Sequence, residues 1–267
     1  MRRALCGIIQ CVPDVNISVA GVTGWTGGAV AEAVAAADDL TLRPGVSRPA
    51  AGTEVAGAPV YASVDEALDG VDVLVDFTSH DVAKTAALTA IGRGVAVVIG
   101  TSGLTAADFD AIDAAARERG VGVISAGNFS LTAAMAKASA MLAARFLPSW
   151  EIIDYASGGK ADAPSGTARE LAETLGPSAR ERTLEDTHGA VEARGADIAG
   201  THVHSVRLPS FTVSTEIVFA APDERLSIRH DAGSSAAPYV AGTLLAVRAV
   251  RGRTGLTRGL DALLLAP

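Results

Sequence analysis

The sequence is poor in aromatic residues, contains two cysteines and has no long apolar run. Aromatic side chains make up 4% of the 267 residues, too few for base-stacking surfaces that bind nucleic acids. The net charge of −8 and the pI near 5.1 also argue against a polyanionic partner. No apolar run reaches the roughly 18 residues that span a membrane. We therefore expect no nucleic-acid partner and no membrane span.

Cys6 and Cys11 are too few for a disulfide framework, which favours a reducing cytoplasm. Both lie in the opening MRRALCGIIQCVP, which has two arginines and a short apolar run but no small-residue cleavage site. We interpret this segment as a frayed extension or the product of an early start codon rather than as a signal peptide.

Strand-like and helix-like segments alternate along the first half of the chain. The predicted strands are 17–22, 40–46, 71–77, 95–99 and 122–125, and the predicted helices are 29–37, 82–93 and 106–119. This alternation predicts a parallel, doubly wound sheet.

The alternation stops after Asn128. A helix is predicted at 133–146, strands at 151–155, 202–208, 212–220 and 226–230, and a last helix at 239–250. We interpret these strands as antiparallel neighbours and the Gly/Arg-rich segment 189–200 as a mobile loop. The predicted fold is α/β, with a Rossmann-like dinucleotide-binding domain (1–129 and 236–267) and a second α+β domain with a mixed or antiparallel sheet (130–235).

A glycine-rich turn, Gly21-Val-Thr-Gly24-Trp-Thr-Gly27, joins the first predicted strand to the first helix. Such a turn brings backbone N–H groups and a helix N-terminus to a pyrophosphate, although it also occurs as a plain tight turn. The expected cofactor residues here are Gly21, Thr23, Gly24, Trp25, Thr26 and Gly27.

The second predicted strand ends in Val46-Ser47-Arg48 and carries no carboxylate for a ribose 2′-hydroxyl. Arg48 suits a 2′-phosphate, because its planar guanidinium makes paired, charge-assisted hydrogen bonds. We therefore expect NADPH, with NADH still possible and with a solvated loop arginine as the alternative.

Two more loops follow predicted parallel strands, and ligands of open α/β sheets bind at the carboxyl ends of such strands. Phe77 and Thr78 lie in the first loop, and Gly100, Thr101 and Gly103 lie in the second. We expect all five to line the cofactor.

The segment Lys160-Ala-Asp-Ala-Pro-Ser-Gly-Thr167 precedes another predicted helix. Thr167 with Glu170 forms a capping-box pattern, and the free N–H groups of a helix start bind anions. Lys160, Ser165, Gly166 and Thr167 are therefore expected to hold a carboxylate, with a simple helix cap beside a surface lysine as the alternative. His202 and His204 lack partners for a metal set, so no metal site is expected.

These motifs, taken in order, resemble those of the dihydrodipicolinate reductases. The resemblance rests on GVTGWTG, VDFT, GTSG, GNFS, EIID, KADAPSGTA, RGAD, VHSVRLP and LSIRHD, and it runs from about Ile17 to near the C-terminus. It implies a homotetramer and hydride transfer from NAD(P)H to a conjugated cyclic imine with two carboxylates. It also implies that Asn128 and Phe129 lie near the nicotinamide.

One part of the family pattern is missing. The family has a His-His pair, the first of them the proton donor, where this chain has Ala156 and Ser157. Tyr155, Ser157, Lys160 or a water molecule is left as the donor, with Lys160 and Tyr155 as the catalytic candidates. Three functions remain open: a reductase of this type with an altered substrate, an authentic 4-hydroxy-tetrahydrodipicolinate reductase, and a non-catalytic NADPH-binding protein.

Overall fold

The computed structural model describes residues 15–178 and 188–264. The N-terminal extension considered above therefore lies outside the described residues. Within them, none of the helices is both long enough and apolar enough to cross a membrane. The chain folds into two sheets, each packed against helices.

The fold contains fourteen strands and eight α-helices in the described residues. The strands are β1 (Val15–Ala20), β2 (Leu40–Leu42), β3 (Gly45–Val46), β4 (Glu54–Val55), β5 (Ala58–Tyr61), β6 (Val73–Asp76), β7 (Ala96–Ile99), β8 (Gly122–Ser125), β9 (Ser149–Ala156), β10 (Ala196–Ile198), β11 (Thr201–Arg207), β12 (Val213–Ala221), β13 (Glu224–Asp231) and β14 (Gly255–Arg258). The helices are α1 (Trp25–Ala36), α2 (Val64–Ala67), α3 (His80–Gly92), α4 (Ala106–Arg119), α5 (Leu131–Ala144), α6 (Gly166–Leu175), α7 (Ala237–Val250) and α8 (Asp261–Leu264).

The first sheet has the order β14-β8-β7-β6-β1-β3-β5-β4, with β2 also paired to β1. Its pairings are parallel except for β4 with β5. Across the sheet, the chain steps from β1 to β2 towards one edge and from β6 to β7 towards the opposite edge. Because such crossovers are right-handed, α1 and α3 lie on opposite faces of the sheet. The predicted Rossmann-like fold is confirmed.

Burial explains why the central strands of this sheet are continuous apolar runs. All four residues of β6, β7 and β8 are buried, since helices cover both faces. The last helix and strand also join this sheet, because α7 packs on β7 and β14 pairs with β8. The C-terminal segment therefore supports the edge of the sheet next to the loops that carry the predicted site.

The second sheet has the order β10-β11-β9-β12-β13. It is mixed, because β11 runs parallel to β9 while the other neighbours are antiparallel. The antiparallel interpretation of the predicted strands was therefore wrong for this pair. The physical reason is that α6 lies between β9 and β11 in sequence and returns the chain to the end from which β9 began.

The segment 189–200 was predicted as a mobile loop, but it contains regular structure. Residues Val191–Arg194 form a 3₁₀ helix, and β10 pairs with β11. This edge strand is three residues long and has no apolar alternation, so its sequence carries no strand pattern.

The two faces of β9 have different environments. Ile152, Asp154 and Ala156 are fully buried on the face covered by α5 and α6. Glu151 and Tyr155 point to the opposite face, because successive side chains alternate along a strand. This alternation decides which residues of β9 can reach the site described below.

Candidate active site

The glycine turn after β1 has a conformation and a packing that exclude larger residues. Gly21 has φ +79°, and a Cβ there would overlap the carbonyl oxygen of Phe77. A Cβ on Gly27 would overlap the carbonyl oxygen of Gly21. The N-cap of α1, Gly24, makes no side-chain capping bond, so no cap side chain occupies the first N–H groups of the helix. This turn therefore fits a pyrophosphate.

The end of β3 is joined to the glycine turn by a hydrogen bond of 2.9 Å between Thr23 Oγ1 and Ser47 Oγ. Arg48 follows as the first residue of a 3₁₀ helix and is exposed. Within the described ranges, no carboxylate forms an ion pair with Arg48. Its guanidinium is therefore free to meet an anion beside the turn.

A buried carboxylate connects the loops after β6 and β7. Asp76 is 0% exposed and accepts hydrogen bonds from Thr78 Oγ1 (3.0 Å), from the Thr78 N–H (3.2 Å) and from Thr101 Oγ1. Burial raises the pKa of Asp76, and the three donors oppose this increase only in part. Asp76 was not among the site residues predicted from the sequence, although an acid that ends an apolar strand was a visible signal.

The loops after the parallel strands meet the second domain in one cleft. Ten of the predicted site residues line it: Trp25, Thr26, Phe77, Gly100, Asn128, Phe129, Lys160, Ser165, Gly166 and Thr167. Five further residues complete the wall: Ser102, Ala126, Gly127, Val213 and Tyr239. The structure therefore brings the predicted cofactor loops and the predicted carboxylate-binding segment to the same cavity.

The remaining predicted cofactor residues lie outside the wall of this cleft. Gly21, Thr23, Gly24, Gly27, Ser47, Arg48 and Thr78 belong to the turns next to it. Thr101 and Gly103 line a neighbouring depression that also contains Arg169 and Arg258. The cleft and this depression share Ser102, Ala126, Gly127 and Gly166.

Two aromatic pairs form the apolar part of the cleft. Phe77 meets Phe129 edge-on at 6.0 Å between ring centroids, and Trp25 meets Tyr239 in the same way at 5.8 Å. Tyr239 comes from α7, and burial raises the pKa of its hydroxyl. It was missed from the sequence because it follows the featureless stretch AGSSAAP. Among the described residues of the cleft wall, Tyr239 and Lys160 are the two with titratable side chains.

The start of α6 is held by a buried carboxylate. Asp154, which is 0% exposed, accepts hydrogen bonds from the backbone N–H of Ser165 (2.8 Å) and from its hydroxyl (2.6 Å). Arg207 pairs with the same carboxylate at 2.8 Å. Ser165 is the N-cap of α6, since its Oγ accepts a hydrogen bond from the N–H of Ala168. The Asp154 carboxylate therefore fixes the position of the helix N-terminus.

The predicted capping box of Thr167 with Glu170 does not form. Thr167 lies inside the helix, donates a hydrogen bond to the carbonyl of Gly127 (3.3 Å) and accepts one from Asn128 Nδ2 (3.2 Å). The reason is that the serine two positions earlier already caps the helix. Thr167 is thus part of the cleft wall rather than the start of the helix.

Lys160 and Tyr155 have different positions relative to the cleft. The Lys160 side chain is 28% exposed, lines the cleft and pairs with Asp162 at 2.7 Å. Tyr155 points to the other face of the sheet, where its ring stacks on Phe211 and its hydroxyl lies 3.4 Å from Glu216 Oε2. The assignment of Tyr155 as a catalytic residue therefore disagrees with the structure, because strand alternation turns it away from the cleft.

The segment that stands in place of the histidine pair offers no side chain that could donate a proton as an imidazolium would. Ala156 is fully buried under the helices, and Ser157, Gly158 and Gly159 are exposed. The Ser157 carbonyl accepts a hydrogen bond of 3.0 Å from the backbone N–H of Lys160, which closes a tight turn. This turn contains no titratable side chain, so Lys160 is the first ionisable group that follows β9.

Comparison with known proteins identifies the family. The family model "Dihydrodipicolinate reductase, N-terminus" matches residues 15–129, and the model "Dihydrodipicolinate reductase, C-terminus" matches residues 127–264. This chain belongs to the dihydrodipicolinate reductase family. It is an NAD(P)H-dependent oxidoreductase, as its glycine turn and cleft had indicated.

Curated relatives cover nearly the whole chain. A 4-hydroxy-tetrahydrodipicolinate reductase of Mycobacterium sp. (strain KMS) is 37% identical over 254 residues, which are 94% of this chain and 99% of that protein. The enzyme of the same name from Corynebacterium diphtheriae is 35% identical over 253 residues, covering 92% and 97% of the two chains. These relatives agree with the family that the two family models identify.

Solved structures support the fold. A dipicolinate-bound dihydrodipicolinate reductase from Paenisporosarcina sp. TG-14 superposes with a TM-score of 0.76 at 24% identity, covering 93% of this chain and 99% of the other. GenD2 from gentamicin A biosynthesis, in complex with NAD, gives 0.66 at 19% identity, with coverage of 96% and 92%. At these identities the likeness concerns the fold alone.

Proposed function

We propose that this protein reduces a small cyclic imine or enamine that carries carboxylates, and that 4-hydroxy-tetrahydrodipicolinate is its substrate. The observation that carries the proposal is the single cleft in which the cofactor loops face Lys160 and the N-terminus of α6. The curated names of the relatives favour this substrate over an altered one.

The residues of the second domain would bind and orient the substrate. The N–H groups of Gly166 and Thr167 lie in the first turn of α6, where a carboxylate is stabilised by unpaired donors and by the helix dipole. The Lys160 ammonium adds a full positive charge to the same wall. Asp154 keeps this turn in place through Ser165. A carboxylated ring is therefore held against the aromatic pair Phe77–Phe129.

The cofactor, when bound, supplies the hydride. The glycine turn fits its pyrophosphate, because both Gly21 and Gly27 stand where a Cβ would collide with backbone. We propose NADPH rather than NADH, since Arg48 is the exposed cation at the end of β3 and no carboxylate there suits a ribose hydroxyl.

A proton must reach the atom of the substrate that receives the bond electrons. We propose Lys160 as its donor, because it is the ammonium group of the cleft wall and stands next to the carboxylate-binding turn. Asp162, at 2.7 Å, can orient the Lys160 side chain. Bulk water would then return the proton to the lysine. Tyr239 is the second candidate donor, and its raised pKa keeps it protonated at neutral pH.

An altered substrate is the second candidate function. The observation that favours it is the turn Ala156–Gly159, which provides no imidazole and little side-chain volume near the cleft. A positioned general acid accelerates a reaction by about 10²–10⁴-fold, so its replacement matters for a biosynthetic enzyme. A larger or differently charged ring would fit the space left by the small residues.

The experiment is a spectrophotometric assay of NADPH oxidation with freshly generated 4-hydroxy-tetrahydrodipicolinate. The mycobacterial relative serves as the positive control, and other cyclic imino acids are tested in parallel. Turnover comparable to the control supports the first candidate, and turnover with another imino acid alone supports the second. Tight NADPH binding without turnover on any substrate would contradict both and favour a non-catalytic NADPH-binding protein.

In the described residues, we propose that the first domain comprises 15–129 and 236–264. We also propose a homotetramer built through the second sheet. In the described part of the chain, α5 and α6 pack on one face of that sheet only. The other face carries Ile153, Val206 and Val218 beside charged residues, a composition that suits a subunit contact. Sedimentation equilibrium tests this assembly.

A further inference from the structure

A buried cluster of three charged side chains lies beside the cleft and has no assigned role. Lys137 of α5 contacts Glu170 of α6 at 2.6 Å and Asp261 of α8 at 2.9 Å. The three side chains are 13%, 14% and 8% exposed, respectively. Ion pairs with so little solvent contact differ from the exposed pairs elsewhere on the surface, because removing one partner leaves an uncompensated buried charge.

Glu170 also reaches the segment that links the two sheets. Its Oε2 accepts a hydrogen bond from the backbone N–H of Gly127, which lies between β8 and α5. The next residue, Asn128, forms part of the cofactor side of the cleft and bonds to Thr167. One carboxylate thus connects this linking segment to the helix that begins with the carboxylate-binding turn.

The linking segment at Gly127 and the start of α6 pack so closely that a side chain at position 127 would not fit. A Cβ on Gly127 would lie 2.8 Å from the carbonyl oxygen of Gly166 and 2.9 Å from Glu170 Oε2. Gly127 therefore packs directly on the first turn of α6. A shift of Glu170 would change the separation between Asn128 and Gly166, which both line the cleft.

Lys137 stays protonated at neutral pH, because its pKa is raised. Burial is the largest influence on the Lys137 pKa and lowers it, but the combined attraction of Glu170 and Asp261 outweighs it and raises the pKa. Lys137 is therefore a permanent cation that contacts Oε1 of Glu170, while the Gly127 N–H contacts Oε2. Contacts at both carboxylate oxygens fix a side chain better than a single hydrogen bond does.

We propose that Glu170 is a positioning residue that sets the distance between the substrate-binding turn of α6 and the cofactor side of the cleft. This inference rests on the proposed function, because it concerns where the substrate is held. A misplacement of about 1 Å lowers the rate of an oriented reaction by up to ~10²-fold, so a small movement of α6 has a large effect.

The test compares Glu170→Ala and Glu170→Gln with the matched control Glu173→Gln. Glu173 is on the same helix, but it is more exposed. Its side chain is 37% exposed, and that of its ion-pair partner Arg258 is 43% exposed. The readouts are kcat and KM for the substrate, NADPH affinity from quenching of tryptophan fluorescence, and the affinity of pyridine-2,6-dicarboxylate in the presence of NADPH. The last two do not depend on turnover.

Glu170→Ala is expected to lower kcat by roughly 10- to 100-fold and to weaken dicarboxylate binding several-fold, with NADPH affinity changed less than about twofold. Glu170→Gln should recover part of the loss, since an amide oxygen still accepts from Gly127. Glu173→Gln should leave all three quantities unchanged. Gly127→Ala, which pushes the same segments apart without removing charge, should reproduce the pattern of Glu170→Ala.

Two results would overturn the proposal. The first is a normal kcat and a normal dicarboxylate affinity in folded Glu170→Ala. The second is an equal loss of NADPH and dicarboxylate affinity, which a general folding defect would produce. If the wild-type protein binds NADPH but no dicarboxylate, the proposed substrate class fails instead. Hydrogen exchange then decides the role of Glu170, because Glu170→Ala must speed exchange at 127–129 and 166–168, and unchanged exchange there refutes it.

Discussion

Replacing Asp154 by Asn tests how the substrate-binding turn is held. The change keeps the size of the side chain but removes the charge that Arg207 and Ser165 share. Arg207 is 17% exposed and would be left without its carboxylate. Breaking a buried ion pair from one side costs about 3–5 kcal/mol. We expect about 3 kcal/mol, because Arg207 keeps a hydrogen bond of 2.8 Å to the carbonyl of Asp162.

At roughly 2–4 °C per kcal/mol for a chain of this size, this loss lowers Tm by about 6–12 °C. Urea unfolding measures the free energy directly, and calorimetry measures Tm. The variant should also bind pyridine-2,6-dicarboxylate more weakly, since Ser165 loses one of the two acceptor oxygens that fix the start of α6.

The control is Glu151→Gln on the other face of the same strand. Glu151 is 36% exposed and pairs with Arg194 at 2.6 Å, so its loss should change the free energy of unfolding by less than about 1 kcal/mol. The double variant Asp154→Asn/Arg207→Met should regain part of the stability, because it removes the unpaired guanidinium. Equal effects of Asp154→Asn and Glu151→Gln would refute the reasoning.

Three other predictions concern single residues. Lys160→Met should lower kcat by about 10²–10⁴-fold, while Tyr155→Phe should leave kcat unchanged, and steady-state kinetics decides between them. Arg48→Ala should weaken NADPH binding more than NADH binding in fluorescence titrations, and equal losses would contradict the assigned 2′-phosphate contact. Burial lowers the pKa of His230 below 6.5, although Asp231 opposes the shift. His230 must gain a proton when the chain unfolds in acid, so its stabilisation is present above pH 6.5 and is lost as the pH falls through the lower folded-state pKa. His230→Asn should therefore flatten the decrease of Tm below pH 6.5, and an unchanged slope would show that His230 does not cause it.

Local patterns were enough to predict the central strands of the first sheet and most of the cleft, while β4, β5 and β14 were not predicted. The glycine turn, the Phe77 loop and the Gly100 loop each follow a continuous apolar strand, and parallel strands bring their carboxyl ends to one edge. The start of α6 was found within two residues, because Ser, Gly and Thr all occur at helix starts. The actual cap, Ser165, was fixed by Asp154, a contact across eleven positions that no local pattern contains.

Contacts between distant segments account for what the sequence did not predict. The parallel pairing of β9 with β11 depends on how α6 packs, and two strand-like runs do not record their relative direction. The sequence indicated Tyr155 as a candidate donor and gave no sign of Tyr239, yet strand alternation turns Tyr155 away while α7 brings Tyr239 into the cleft. The link from Glu170 to Gly127 spans 43 positions and has the same origin.

The most direct test of the account is to follow the hydrogen that leaves the cofactor. The protein is incubated with 4-hydroxy-tetrahydrodipicolinate and NADPH deuterated on one or the other face of the nicotinamide, and the product is analysed by mass spectrometry. The account predicts a product that carries one deuterium in place of hydrogen with one of the two cofactors and no deuterium with the other. An unlabelled product with both, or no product while NADPH remains bound, would contradict it.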